Sequence, residues 1–429
     1  MSLRNRIKAG VNAELPAFTI VELLVVIVVI GILAAITVVS YTGISNKASL
    51  ASLTADLNSA SKLLGLYNIE YDSYPTSLDG DYCPAAPQTD TRYCLKPSGN
   101  NSFTYYPNST TSKAVDFALY VSRGNLNSRV NSTGAPTQAL TKTCPYGFIV
   151  IPGSSTYGTS DFCVMKYEAK ADDNDDGIGD TNRNTGYNTW PANTYPISAT
   201  RKLVSTPQGY PVAYISQTTA TTAASSYTNG CATGCHLITE AEWMTIAQNV
   251  LSNPVNWSTN TVGSGYIYFG HSDNIPATAI EASSNDHDDY INTDNTAGSN
   301  QKRTLTLTNG EVIWDLAGNI CEWTSCQTTG GQPGVSDETS FVWKEWTAVN
   351  APGALTVSPF PSDIELSGAG AWSVAYGVGR LLSNASDSVF RGLYRGGYWA
   401  NGSSAGVLAL YLNLTPATAY YTLGFRVAQ

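Results

Sequence analysis

The residues best suited to chemistry are acidic and closely spaced: Asp172, Asn174, Asp176, Gly177, Ile178 and Asp180, within DDNDDGIGD. Hard side-chain oxygens at alternate positions, a glycine for the sharp turn and the Ile178 carbonyl match the first nine positions of an EF-hand-type calcium loop. Arg183 stands where the usual twelfth-position Glu would, so another segment has to complete the site. The competing reading is a solvated acidic loop. A second acidic run, NDHDDYINTDN at 285–295, is less regular. The three histidines, His236, His271 and His287, are too scattered for a metal centre. His236 instead suits a structural place at a helix start. No Ser/His/Asp arrangement follows from spacing.

The eight cysteines are Cys83, Cys94, Cys144, Cys163, Cys231, Cys235, Cys321 and Cys326. An even count in an exported chain points to disulfides. Sequence-neighbour pairing (83–94, 144–163, 231–235, 321–326) is the simplest of the roughly 105 connectivities that eight cysteines allow. A zinc site built from the last four thiolates is the rival, and an oxidising compartment argues against it.

These groups sit in a chain of 429 residues, long enough for two or three domains. Only 13% of residues are charged, and the plentiful Gly, Ser, Thr, Asn and Tyr suit a loop-rich extracellular β protein. The net charge of −10 and the lack of a basic stripe exclude nucleic acid as a partner.

Near the N-terminus, Leu23 to Val39 contains no strongly polar residue except Thr37. The 22 residues from Phe18 to Val39 span roughly 33 Å as a helix, against a bilayer core of about 30 Å. That predicts a membrane segment over 18–39 and a single-pass protein of the cell membrane, reaching the cell surface or a pilus. Glu22, just inside the run, is a costly charge that needs a partner or a task. Thr19 and Glu22 could also simply form a capping box.

The basic leader (Arg4, Arg6, Lys8), Ala17 before Phe18, Glu22 and the long apolar helix together resemble a type IV prepilin. The resemblance implies cutting by prepilin peptidase between Ala17 and Phe18, methylation of the new N-terminus, and other pilin subunits as partners. Glu22 would neutralise the Phe18 amine of a neighbouring subunit. Most of the family has Gly where this chain has Ala17.

Beyond the apolar run, Leu50, Leu53, Leu57, Ala60, Leu63, Leu64 and Tyr67 recur at helical spacing. Pro75 and Gly80 end that helix. FTYY (103–106) and VDFALYVS (115–122) read as strands of a small pilin-like sheet. Residues 123–141, polar and without aromatics, read as a linker. The expected organisation is a leader (1–17), a pilin-like part (18–122), the linker, and a domain from 142 to 429. All nine tryptophans lie in that last part, between Trp190 and Trp399.

Three stretches of it carry a second resemblance. HLITEAEWMTIAQNVL (236–251) reads as a helix with Thr239 and Glu242 in a capping box. EVIWDLAGNICEWTS (311–325) is a strand and turn, and 394–429 opens on YRGG and closes on GFR. In this order they resemble the formylglycine-generating-enzyme-like branch of the C-type lectin fold. The fold class expected is therefore α+β, with loops and bound calcium, and Gly318, Asn319 and Glu322 near a metal. The enzymes of that branch hold copper with a cysteine pair in the terminal segment. No cysteine follows Cys326 here, so catalysis is not expected.

The terminal segment 394–429 also resembles the variable region of proteins diversified by retroelements. The resemblance makes Tyr398, Ala400, Ser403, Tyr411, Asn413, Leu414, Tyr420 and Tyr421 candidate ligand contacts. Tyr gives amphipathic contact area at low entropy cost, and Ser and Asn give adaptable hydrogen bonds. The function expected is a pilin-like adhesin or receptor-type binder of an extracellular protein or glycan. An altered oxidase-type enzyme and a purely structural minor pilin are the rivals.

Overall fold

The computed structural model describes residues 20–110, 113–132, 136–140, 142–173, 175–180, 202–227, 234–275, 277–282, 299–328, 331–336, 338–349 and 373–429, with a few single residues between. The chain divides into two units, Met1–Ala51 and Ser52–Gln429. Among the described residues the architecture mixes helix and sheet, with mostly sheet and loops and no closed barrel.

Helix α1 runs Ile20–Tyr71. In the first unit its described side chains, Leu24–Ile30, are about half exposed. Among the described residues no helix is long and apolar enough to cross a membrane. The expectation of a single-pass membrane anchor, with the membrane as a partner, is overturned.

In the second unit α1 is amphipathic as its spacing predicts. Leu53, Leu57, Ala60, Leu64 and Tyr67 are buried. Asp56, also buried, accepts from the Ser98 N–H at 2.8 Å and from Asn101 Nδ2 at 2.6 Å, so the turn before the first strand is tied to the helix. Ser102–Pro107 (β1), Phe117–Arg123 (β2), Leu126–Asn131 (β3) and Thr137–Leu140 (β4) form an antiparallel meander.

Strands β3 and β4 fall inside 123–141, so that stretch is not an open linker. Its residue Arg129 is paired rather than solvated. Arg129 lies opposite Tyr120 in the β2–β3 register. Its guanidinium meets Glu311 at 2.6 Å and donates to the Phe148 carbonyl at 2.9 Å. Absence of aromatics suggested a spacer; the burial of Ser128 and Val130 shows a strand.

The remainder is built on two larger sheets, with the two-stranded ribbons Lys170–Asp172/Lys202–Val204 and Thr304–Thr306/Val312–Trp314 beside them. Phe148–Ile151 (β5), Phe162–Met165 (β6), His236–Leu237 (β7) and Val427–Ala428 (β14) make a four-stranded sheet in the order β7-β14-β6-β5. Cys321–Thr328 (β8), Val342–Lys344 (β9), Leu381–Ser383 (β10), Arg391–Gly396 (β11), Gly406–Tyr411 (β12) and Leu423–Phe425 (β13) make a six-stranded one. Its order is β9-β10-β12-β11-β8-β13, with β8–β13 and β10–β12 parallel.

Helices α2 (Gln217–Ser225) and α3 (Glu240–Ser252) pack on this core. The capping box of α3 is present: Thr239 Oγ1 accepts from the Glu242 N–H, and Glu242 accepts from the Thr239 N–H.

Disulfides join Cys83–Cys94, Cys144–Cys163 and Cys231–Cys235. Cys321 and Cys326 are not joined. Both sit on β8, where five residues of extended chain separate their Cα atoms by about 15 Å, and a disulfide requires about 4.4–6.8 Å. The bridge between 231 and 235 also removes the four-thiolate zinc alternative.

Candidate ligand-binding face

Two buried ion pairs hold the terminal segment. Arg395 on β11 meets Glu240, the first residue of α3, with Nε 3.0 Å and 2.9 Å from its two oxygens. Arg426 meets Glu322 on β8 with Nε 3.0 Å from both oxygens and Nη2 2.9 Å from one. Arg426 also donates to the carbonyls of Met165, Lys166 and Trp314. All four charged side chains are essentially inaccessible. Burial pushes the Glu322 carboxyl above its usual range, and Arg426 pulls against that. The RGG and GFR motifs thus mark the arginines that lock the segment to the core.

Asn319 forms the pivot between them. Buried and in the left-handed region (φ 59°), it donates through Nδ2 to Glu168 and to the Ile280 carbonyl, and its Oδ1 accepts from the Ile280 N–H. Its own carbonyl accepts from Trp399 N–H at 3.1 Å. Burial and the nearby Asp315 and Glu322 push the Glu168 carboxyl well upward. The GN-x-x-E element works here as a hydrogen-bonded turn.

On this frame the six-stranded sheet carries one cross-strand row: Trp343, Leu382, Tyr411, Tyr394, Trp323 and Phe425 occupy matched register positions. Tyr394 and Tyr411 stack at 4.7 Å and 13°, Trp323 meets Tyr394 at 5.1 Å, and Trp343 meets Tyr411 edge-on at 5.1 Å. The row is buried from Phe425, at 0% exposure, to Tyr411, and opens at its other end in Trp343, at 37%.

The expected contact residues divide accordingly. Ala400 and Ser403 are exposed, and Tyr420 is 49% exposed. Tyr398, Asn413, Leu414 and Tyr421 are half-buried. Tyr398 packs edge-on against Trp399 at 5.4 Å, and Tyr421 lies against Trp399, Tyr214 and Tyr420. Tyr411 departs from expectation: at 3% exposure it belongs to the core row, its hydroxyl donating to Asn401 Oδ1 at 2.7 Å. Its place in β12, between two paired strands, leaves its ring no open side. The bend that presents Tyr398 is made by Gly396 and Gly397, at φ 88° and 90°. A Cβ on Gly397 would meet Ala405 at 2.7 Å.

Sequence reading missed Asn401, Tyr394 and Trp343. Asn401 and Tyr394 lay inside the quoted terminal segment, and only the register reveals their roles. Trp343 sits on a three-residue strand with no motif around it.

The acidic loop closes on itself. Asp172 accepts from the Asp176 N–H at 3.1 Å and the Gly177 N–H at 2.9 Å. Asp176 accepts from Ile178, Asp180 from Asp173, and Asp175 pairs with Lys202 at 2.7 Å. Burial raises the Asp172 carboxyl above its usual range. Among the described residues no three His, Cys, Asp or Glu side chains gather as a metal-holding group. Asn174, the 285–295 cluster and His287 lie outside the described residues, as do Ala17, Phe18 and the side chain of Glu22.

The geometry defines a loop-rich module with an aromatic and amide face at one end of a mixed sheet. No family profile matches the chain. The type II secretion system core protein G of Klebsiella michiganensis is 35% identical over 63 residues, 15% of this chain and 44% of the relative. The chain therefore spans less than half the length of that curated relative.

Among solved structures, the Major Tropism Determinant P3c variant covers 77% of this chain and 72% of its own, at 13% identity and a TM-score of 0.34. Treponema denticola variable protein 1 covers 74% of this chain and 99% of its own, at 15% identity and a TM-score of 0.29. At these scores the overlap is too loose to carry a conclusion.

The capping box of α3 gains a third member in His236. Its Nε2 lies 2.9 Å from Glu242, and its Nδ1 lies 2.8 Å from the Gly234 carbonyl. The bond to Glu242 holds the imidazole pKa above its ordinary 6.5. Burial opposes ionisation of Glu242, but His236 and Thr239 outweigh it and hold the carboxyl below 4.5. The imidazolium contribution is complete below the unfolded His value and fades as pH rises through the raised one. The carboxylate contribution is complete above 4.5 and fades as pH falls. Wild type should therefore melt above His236→Gln by the widest margin near about pH 5.5, and the margin should shrink by about pH 8.5. A margin that stays flat across that range would mean the pair is uncharged.

Proposed function

We propose that this chain is a pilin-like protein carrying a ligand-binding module, with a binding face made by Tyr398, Ala400, Ser403, Asn413, Leu414, Tyr420 and Tyr421. The observation that carries the reading is the setting of the terminal tyrosines: accessible rings mounted on a segment locked by two buried ion pairs. Rigid amphipathic rings lose little entropy on binding, and a fixed backbone keeps them in register. The ligand is a protein or glycan, and the segment is a place where sequence can vary without disturbing the arginines beneath.

The test compares face with frame. Replacing Tyr398, Tyr420 and Tyr421 together by Ala should abolish capture on protein and glycan arrays, at a cost of about 0.5 kcal/mol for the most exposed ring and more for the half-buried ones. Trp399→Ala or Phe425→Ala removes a buried aromatic, costs roughly 3–5 kcal/mol, and should lower the melting temperature sharply. Tyrosine variants as unstable as Trp399→Ala would make those rings core and end the reading.

The pilin-like part rests on the N-terminal motif and on the short match to a secretion-system protein. Cutting by prepilin peptidase should leave Phe18 as the first residue, and Ala17→Asp should block it. N-terminal sequencing that begins at Met1, or near Ser40, would remove this part of the proposal. Other pilin-like subunits are the partners it implies, with Glu22 as the assembly residue.

Calcium at Asp172, Asn174, Asp176, Ile178 and Asp180 is a separate proposal, supported by the alternation of oxygen ligands alone. Bound calcium should raise the melting temperature of the chain, and chelator should reverse the rise. Identical melting in calcium and in chelator would leave the loop as the self-capped turn described above.

A further inference from the structure

Beside the terminal face lies a surface that no motif indicated. Val342, Trp343, Val389 and Phe390 are 42%, 37%, 47% and 49% exposed. Trp343 shares a strand face with Phe341, two residues before it, whereas Val342 points to the other face, and the Arg391 guanidinium over the Phe341 ring at 5.2 Å brings the segment that carries Val389 and Phe390 to that place. Strand β9, which carries Val342 and Trp343, is the first strand of its sheet and among the described residues pairs only with β10. Exposed aromatic and branched aliphatic side chains gathered in one place mark interaction surfaces more than they mark solvated ones.

Two carboxamides are tied to the aromatic row that Trp343 ends, and a main-chain N–H fixes the orientation of the first. Asn401 Oδ1 accepts from the Tyr398 main-chain N–H at 2.7 Å and from the Tyr411 hydroxyl at 2.7 Å. A main-chain N–H can only donate, so the oxygen of Asn401 must point inward and its Nδ2 outward. Asn413 Oδ1 accepts from the Tyr394 hydroxyl at 2.6 Å, which leaves its Nδ2 on the outer side. Neither nitrogen has a partner among the described residues, and neither is among the buried atoms that lack one. Because Tyr394 and Tyr411 stack in parallel, the two carboxamides flank one pair of rings. The surface offers donors whose matching acceptors are already used.

The strip is also electrically neutral. Arg391 is met by Asp387 at 2.9 Å, and Lys344 by Glu338 at 2.6 Å. The rest of the chain is acidic, with a net charge of −10. A complementary surface therefore has an uncharged, apolar centre and a basic rim.

We propose that Trp343, Val389 and Phe390, with the outward amide nitrogens of Asn401 and Asn413, form the anchor at which a protein partner docks. Apolar side chains of the partner cover the strip, and its main-chain carbonyls accept from the two carboxamides. The exposed Val and Phe side chains favour a polypeptide over a saccharide as the occupant. This inference rests on the reading of the terminal segment as a binding face and extends that face to Trp343, Val389 and Phe390.

The probe is a phage-displayed library of random peptides panned on the full chain, with an enriched peptide then titrated against wild type and variants. Enriched peptides should carry an apolar centre with Lys or Arg flanks, and their association should slow as salt is raised. Asn413→Asp and Asn401→Asp keep the oxygen that accepts from tyrosine and exchange the outward donor for a carboxylate oxygen, so the affinities are compared at high salt, where the added negative charge is screened. Each should weaken binding at least tenfold with an unchanged melting temperature, and Trp343→Ala should do the same. Should Trp343→Ala disturb folding, the two Asn variants still decide.

Unchanged affinity in both Asn variants overturns the anchor. If the Tyr398, Tyr420 and Tyr421 triple variant alone loses the peptide, the binding face stands and the anchor does not. Binding of lactose or chitotriose that depends on Asn413 overturns the choice of a protein partner. A library that yields no specific peptide counts against the anchor, and wild type that also captures nothing on arrays removes the binding face with it.

Discussion

The interaction on which the rest depends is the pairing of buried arginine with buried glutamate, made twice. Arg395 ties the terminal hairpin to the first turn of α3, and Arg426 ties the last residues to β8 and to the carbonyls of Met165, Lys166 and Trp314. Desolvating such charges costs several kcal/mol per ion, so pairs like these add little to stability by themselves. Removing one partner is another matter, because it strands a charge in the core at roughly 3–5 kcal/mol. The pairs therefore set position more than they add stability. A third, Arg303 with Asp315, repeats the device at 2.6 Å.

Positioning of this kind suits a surface that must hold its shape while its side chains serve recognition. The row from Phe425 to Trp343 runs from full burial to the sheet edge. Its inner members are structure and its outer member is contact area, with Tyr411 and Tyr394 between. Those two spend their hydroxyls on Asn401 and Asn413, so the polar tips of core rings decide how surface amides face. Core and binding chemistry are joined at that one hydrogen-bonded step.

Much of the local structure was legible in the sequence because it depends on neighbours along the chain. The helical spacing of Leu53, Leu57 and Leu64, and the T-x-x-E box at Thr239, declare themselves within one or two turns. Three disulfides followed from proximity in sequence, and the fourth failed because extended β8 holds Cys321 and Cys326 apart. What escaped detection depends on distant partners. Arg129 reads as a linker residue until Glu311, 182 positions away, is seen beside it. Tyr411 reads as a contact residue because its composition matches its exposed neighbours, and only the strands on either side of it dictate burial. The apolar N-terminal run illustrates a different limit, since hydropathy alone predicted an anchor that the described helix does not supply.

The bond between Arg129 and Glu311 also bears on how the molecule yields under load. A sheet hung on a flexible tether would unravel independently of the module that follows it. Here β3 is clamped by an ion pair and a main-chain acceptor at Phe148, and Gly177 lies so close to Asn108 that a Cβ would come within 2.2 Å of its carbonyl oxygen. Tension applied along the chain thus reaches both parts together. Between the two parts of Ser52–Gln429 there is then no slack at these contacts to pay out.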